Sequence, residues 1–198
     1  LFLISDEVYR EFCYTDEPHF SALNIPGCEQ NVIMVDSVSK RYNLCGARIG
    51  CIVSHNKDVM AAAMKFAQLC PPVLGQYAAI GALDTPQSYF DEVKAEYIRR
   101  RDCAVKMLND IPGVYAPNPM GAFYTVAELP VEDAEDFVKW MLTDFSVDGQ
   151  TTMVTPAASF YKTPNAGKNH IRLAYVLEVP ELQKALEILA AGLEKYRR

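Results

Sequence analysis

Four short runs in the chain hold residue types whose spacing could do chemistry. Ser5-Asp6-Glu7-Val8-Tyr9 follows Leu1-Phe2-Leu3-Ile4, an apolar run that reads as a strand. Ligands of open α/β sheets bind at the carboxyl ends of strands, so Asp6 is placed where a ligand could meet it. An Asp there is also an ordinary turn or cap residue. Asp36-Ser37-Val38-Ser39-Lys40 again follows an apolar strand. Its lysine could ligate a phosphate, trap a carbonyl with its amine, or lie at the surface. In Gly46-Ala47-Arg48-Ile49-Gly50 the arginine stands between glycines, which lets it approach a ligand closely and fork onto a phosphate. Ile171-Arg172-Leu173-Ala174 sets an arginine among apolar strand neighbours, a pattern that a strand arginine with its head in water would also give.

Strands and helices must position these runs, and the hydrophobic pattern predicts where they lie. Leu1–Ser5, Asn31–Asp36 and Ala47–Ser54 read as short apolar strands. Such runs fit parallel strands covered on both faces. Lys57–Leu69 is predicted as a helix stopped by Pro71-Pro72, and Gln76–Leu83 as a short one. A long helix starts at Pro86, with Phe90, Val93, Tyr97, Ala104, Leu108 and Ile111 along one face, and ends at Pro112-Gly113. The Arg99-Arg100-Arg101 run within it is expected on a solvated face.

Beyond that helix the alternation breaks. Strand candidates occupy Val114–Glu128, interrupted by Pro117, Pro119 and Gly121, and a helix covers Val131–Phe145 with Glu132 and Asp133 in its first turn. Thr152–Thr155 and His170–Val176 read as strands, and Pro180–Tyr196 as a terminal helix. The expected architecture is an α/β part over 1–101 followed by a smaller α+β domain over 102–198. No repeat or low-complexity stretch is evident. The opening strand has no Met, cap or turn before it, and the start is expected to be a cut through the middle of a protein.

Composition narrows the classes. Half of the 198 residues are apolar, which suits a globular core, and a net charge of −6 argues against a nucleic-acid footprint. No run reaches the length of a membrane span, and no signal-peptide pattern opens the chain. Six cysteines and three histidines show neither C-x-x-C nor zinc spacing. Thiols in apolar runs, such as Cys51, are expected to be buried and free, and a reducing, cytoplasmic setting follows.

Jointly the motifs are far more specific than any one of them. Ser37-x-Ser39-Lys40-x-Tyr42-x-Leu44-x-Gly46-x-Arg48-x-Gly50 resembles the lysine signature of the class I and II aminotransferases, the aspartate aminotransferase family of pyridoxal-phosphate (PLP) fold type I. Asp6-Glu7-Val8-Tyr9 before it and Arg172-Leu173-Ala174-Tyr175 after it match the same family in the same order. The resemblance covers essentially the whole chain. It implies the C-terminal part of the PLP-binding large domain, a mostly parallel sheet with helices, followed by the small C-terminal domain.

The resemblance implies a role for each residue. Lys40 would form the Schiff base with PLP and shuttle the substrate proton. Asp6 would pair with the pyridine nitrogen, and Tyr9 would bond the ring oxygen. Ser37, Ser39 and Arg48 would hold the phosphate, and Arg172 would clamp the α-carboxylate of an amino acid. The implied reaction is ping-pong transamination between an amino acid, aspartate or a similar acid, and a 2-oxo acid such as 2-oxoglutarate. A homodimer is implied as well.

The family's glycine-containing phosphate loop, ring-stacking aromatic and Asn-Pro-Thr-Gly segment belong upstream of Leu1. The chain alone is therefore expected to bind PLP poorly and to be inactive. Pro156-Ala157-Ala158-Ser159-Phe160-Tyr161 departs from the pattern where relatives often carry a glycine before the Phe. Within the same fold, a C–S lyase or a cyclopropane-forming (ACC-synthase-like) enzyme would keep the same Lys, Asp and Arg. A PLP-sensing module of a transcription regulator is the non-catalytic alternative.

Overall fold

The computed structural model describes residues 1–67 and 71–196. The chain divides into two compact units, Leu1–Lys94 and Ala95–Arg198. The division falls inside the long helix α4, Gln87–Asp110, which also contains the expected boundary at Arg101.

In the first unit three strands form a sheet in the order β1-β2-β3. These are β1 (Leu3–Asp6), β2 (Val32–Ser37) and β3 (Gly50–Val53). β1 runs parallel to β2, with Asp6 opposite Val35. β3 runs antiparallel to β2, with Ser37 opposite Gly50, whereas a third parallel strand was expected. The connection explains the reversal. A single turn of helix, α1 (Val38–Arg41), and a 3-10 turn at Cys45–Ala47 fold it into an arch that returns at the same end of the sheet. A parallel return would need a crossover running the length of the sheet.

Burial departs from expectation too. β2 alternates, burying Val32, Met34 and Asp36 on one face, while β1 and β3 are largely exposed instead of covered on both faces. Among the described residues each of them pairs with β2 alone and keeps one unpaired edge. Cys51 is accordingly exposed, not buried, and Cys13, Cys28, Cys45 and Cys103 are likewise free thiols. Helices α2 (Lys57–Ala67) and α3 (Val73–Ala82) follow. The end of the first predicted helix at Gln68 and Leu69, and Cys70, lie outside the described residues.

The second unit buries most of the core. Strands β4 (Tyr124–Glu128), β5 (Thr155–Pro156) and β6 (His170–Ala174) form an antiparallel sheet in the order β4-β6-β5. Helices α5 (Ala134–Thr143) and α6 (Val179–Tyr196) complete it. Leu108, Phe137, Met141, Ile171, Tyr175 and Leu189 are fully buried, each contributing about 1.5–3 kcal/mol relative to exposure. Asp133 caps α5, accepting a hydrogen bond from Glu135 N at 2.8 Å, rather than lying in its first turn. Short polar side chains suit that position because they satisfy an orphan amide.

Two of the three consecutive arginines of α4 are not on a solvated face. Arg100 and Arg101 side chains keep only 14% and 12% of their exposure. Arg100 Nη1 donates to Val176 O at 2.6 Å, and Arg101 Nη1 to Pro119 O at 3.4 Å. Carbonyls of the segments packed against the helix recruit them, and only Arg99 stays largely in water.

Candidate active site

Sheet direction brings the predicted residues of the first unit together. β1 and β2 end at Asp6 and Ser37, and antiparallel β3 begins at Gly50, so all three termini lie at one end of the sheet. Asp6 is exposed there, and its Oδ1 accepts a hydrogen bond from Val8 N at 3.2 Å, which turns the chain after the strand. Tyr9 follows in that turn, its ring set edge-on to Phe12 at 6.2 Å.

Ser37 ends β2 and caps α1, its Oγ accepting from Ser39 N at 3.2 Å. Val38 N donates to Ile49 O at 3.2 Å, which ties this turn to the start of β3. Ser39 and Lys40 lie within the turn and are half-buried. Arg48 takes a left-handed backbone, φ 56°, and its Nη1 donates to Cys45 O at 3.0 Å.

Ser37, Ser39 and Arg48 line one open cavity of about 640 Å³, whose walls include the apolar Val8, Val35 and Met60. Asp36 lines it as well, so two hydroxyls, a guanidinium and a carboxylate residue stand beside the apolar walls. Lys40, Asp6 and Tyr9 belong to the same end of the sheet but do not line that cavity. Gly50 keeps the approach tight, because a Cβ there would stand 3.0 Å from Asp36 O.

Arg172 belongs to the second unit. Its guanidinium lies between two rings, 4.8 Å from the centroid of Tyr124 and 5.0 Å from that of Phe160. Stacking of this kind holds a planar cation while leaving its N–H fork in plane for an anion.

Several neighbours escaped the sequence reading. Glu7, beside Asp6, is only 3% exposed, and Asp36, beside Ser37, only 7%. Glu7 accepts from Ala22 N at 2.9 Å, Ser21 Oγ at 3.0 Å and Ser5 Oγ at 3.2 Å, and its Oε2 stands 3.0 Å from His19 Nε2. Burial pushes the Glu7 carboxyl up, but the bonds from His19, Ala22, Ser21 and Ser5 outweigh it and hold the group below its ordinary 4.5. Asp36 bonds Arg41 and lies 3.6 Å from Arg10. Gly75 packs its α-carbon against the arch. The alternation of β2 puts Asp36 on the face of Val32 and Met34, a signal that was available; Glu7 stands inside the Asp6–Tyr9 motif without an assigned role, and nothing local marks Gly75.

A lysine-bearing turn, two serines and an arginine thus stand at the carboxyl end of a parallel strand pair. The chain belongs to the aminotransferase class I and II family, whose model matches residues 1–189. Members of that family use pyridoxal 5′-phosphate. It is 31% identical over 193 residues to an aspartate aminotransferase of Pyrococcus abyssi, covering 94% of this chain and 47% of that protein. An LL-diaminopimelate aminotransferase of Natranaerobius thermophilus is 30% identical over 190 residues, with 94% and 47% covered.

Among solved structures, an aromatic aminotransferase from Pyrococcus horikoshii superimposes with a TM-score of 0.83 at 30% identity, covering 100% of this chain and 52% of that one. An aspartate aminotransferase from Rhizobium meliloti gives 0.82 at 29%, covering 98% and 50%. The chain thus spans about half the length of the relatives it matches. Among the described residues no helix is long and apolar enough to cross a membrane.

Proposed function

We propose that the protein carrying this chain is a PLP-dependent aminotransferase that moves an amino group between an amino acid and a 2-oxo acid. The observation that carries this reading is the convergence of Asp6, Ser37 and Arg48 at one end of the sheet, with Lys40 on the turn between them. When bound, PLP supplies an aldehyde for the lysine and a ring that takes up electrons from the substrate.

The chain's residues do the rest. Lys40 Nζ is the amine that anchors the aldehyde and, once released, moves the proton at the substrate Cα. The Asp6 carboxylate pairs with the pyridine nitrogen and keeps it protonated. Tyr9 donates its hydroxyl hydrogen to the ring oxygen. Ser37, Ser39 and Arg48 hold the phosphate, and Arg172 fixes the α-carboxylate through its in-plane N–H fork.

Aspartate or a similar acid, with 2-oxoglutarate as acceptor, is the proposed pair, supported by the aspartate aminotransferases among the relatives. Those names also favour transamination over the lyase, synthase and sensor readings. A cytoplasmic homodimer belongs to the same proposal, as does a division of labour near Arg101 between a cofactor domain and a small domain.

The test is Lys40→Ala in the whole protein, assayed for 2-oxo acid formation with and without an amino acceptor. Loss of turnover by about 10²-fold or more is expected, with the far-ultraviolet spectrum unchanged. Near-parental turnover would mean that another group does the work.

A further inference from the structure

The turn that carries Lys40 cannot hold itself in place. α1 is four residues long, far below the length at which a helix is stable alone. The serine cap and the Val38–Ile49 hydrogen bond fix its beginning. Its end is fixed by charge. Arg41, directly after Lys40, bonds Asp36 on the buried face of β2, and its Nε lies 3.5 Å from Glu11 Oε1. Arg10 joins the same cluster, 3.6 Å from Asp36 and 3.7 Å from Glu11. Asp36 also accepts from Ser37 N at 2.7 Å.

Arg10 and Glu11 come from the turn after Asp6, Asp36 from β2 and Arg41 from the turn of Lys40. The Asp36 and Arg41 side chains keep 9% and 11% of their exposure, and Arg41 Nε is buried without a hydrogen-bond partner. Desolvating two charges costs several kcal/mol each, and an apolar pair of similar volume is often as stable. Stability is therefore a poor reason for such a pair. Geometry is a better one, because a planar guanidinium locked onto a carboxylate fixes the rotation of the turn that bears it.

We propose that Arg41 and Asp36, with Arg10 and Glu11, are positioning residues that aim Lys40 Nζ and couple its turn to the turn of Asp6 and Tyr9. The proposal rests on the reading of Lys40 as the cofactor lysine. Arg41 acts through the backbone it shares with Lys40.

The test uses the whole protein in three forms: Asp36→Asn/Arg41→Met, which removes both charges together, Arg41→Lys, and Lys40→Ala as control. Three quantities are measured: the PLP dissociation constant with borohydride trapping, the melting temperature, and amide exchange of residues 39–42 without PLP. For the double variant we expect a melting temperature close to the parent, PLP affinity lower by about tenfold or more, and faster exchange in the turn. Arg41→Lys, which keeps the charge but not the fork, is expected to recover only part of the affinity.

Unchanged PLP affinity in the folded double variant overturns the proposal, and so does a double variant that no longer folds, since the pair would then be a stability element. Weaker affinity without faster exchange would make the pair a direct ligand, which also overturns it. If Lys40→Ala still traps PLP as the parent does, the reading of Lys40 itself has failed, and the variants at positions 36 and 41 are not the cause.

Discussion

Asp6 and Glu7 are adjacent carboxylates with opposite surroundings. Neighbouring residues of an extended chain point to opposite faces, so one can stay in water while the other turns to the interior. Asp6 is exposed; Glu7 is buried among Ser5, His19, Ser21 and the Ala22 amide. Its bonds pin the loop through 22 beneath the turn that carries Tyr9. Because the folded carboxyl is held below 4.5, its stabilisation is present above that pH and is lost as pH falls through the folded-state value. Glu7→Gln should therefore cost about 1–3 kcal/mol at neutral pH, with the gap to the parent closing as pH falls through the folded-state value. Urea denaturation across pH checks this, and a gap that persists in acid would show that shape, not charge, matters at this position.

At the scale of elements, the arch between β2 and β3 depends on how closely α3 approaches it. A Cβ on Gly75 would stand 2.2 Å from Ala47 O and 3.0 Å from Ile49 Cγ1. The first of these is backbone and cannot swing aside as a side-chain tip would. Ala47 precedes Arg48, whose left-handed φ already leaves it little freedom. Gly75→Ala is expected to cost about 1–3 kcal/mol and to weaken PLP binding through a displaced Arg48. Denaturant titration and PLP titration of the purified variant measure the two effects. Parental values for both would mean that α3 shifts freely away from the arch.

At the scale of the molecule, the two units differ in how much they bury. The second holds fully buried Leu, Ile, Phe, Met and Tyr, whereas in the first the large apolar residues Phe2, Ile4, Met64, Phe66, Leu74 and Tyr77 are exposed. Among the described residues β1 and β3 also leave unpaired edges, which template pairing with other chains. Contiguous apolar surface left in water favours association. The chain of 198 residues by itself is expected to associate as its concentration rises, detected by light scattering and sedimentation. A monodisperse monomer at high concentration would contradict this.

Local order was legible in the sequence because it is written in neighbouring residues. Apolar runs marked β2 and β6 to within two residues, and the proline and glycine breaks bounded α4, whereas Lys40 lies within α1 and Arg48 ahead of β3 rather than inside the expected strand. Tertiary structure alone decided the direction of β3, the exposure of β1, and the burial of Glu7, Asp36, Arg100 and Arg101. Each of these depends on which distant segment arrives alongside: Ala22 for Glu7, Val176 for Arg100, Arg10 for Asp36. A residue's type limits what it can do beside a neighbour, but the free energy of burying a charge or a strand face is set by partners that chain order does not name.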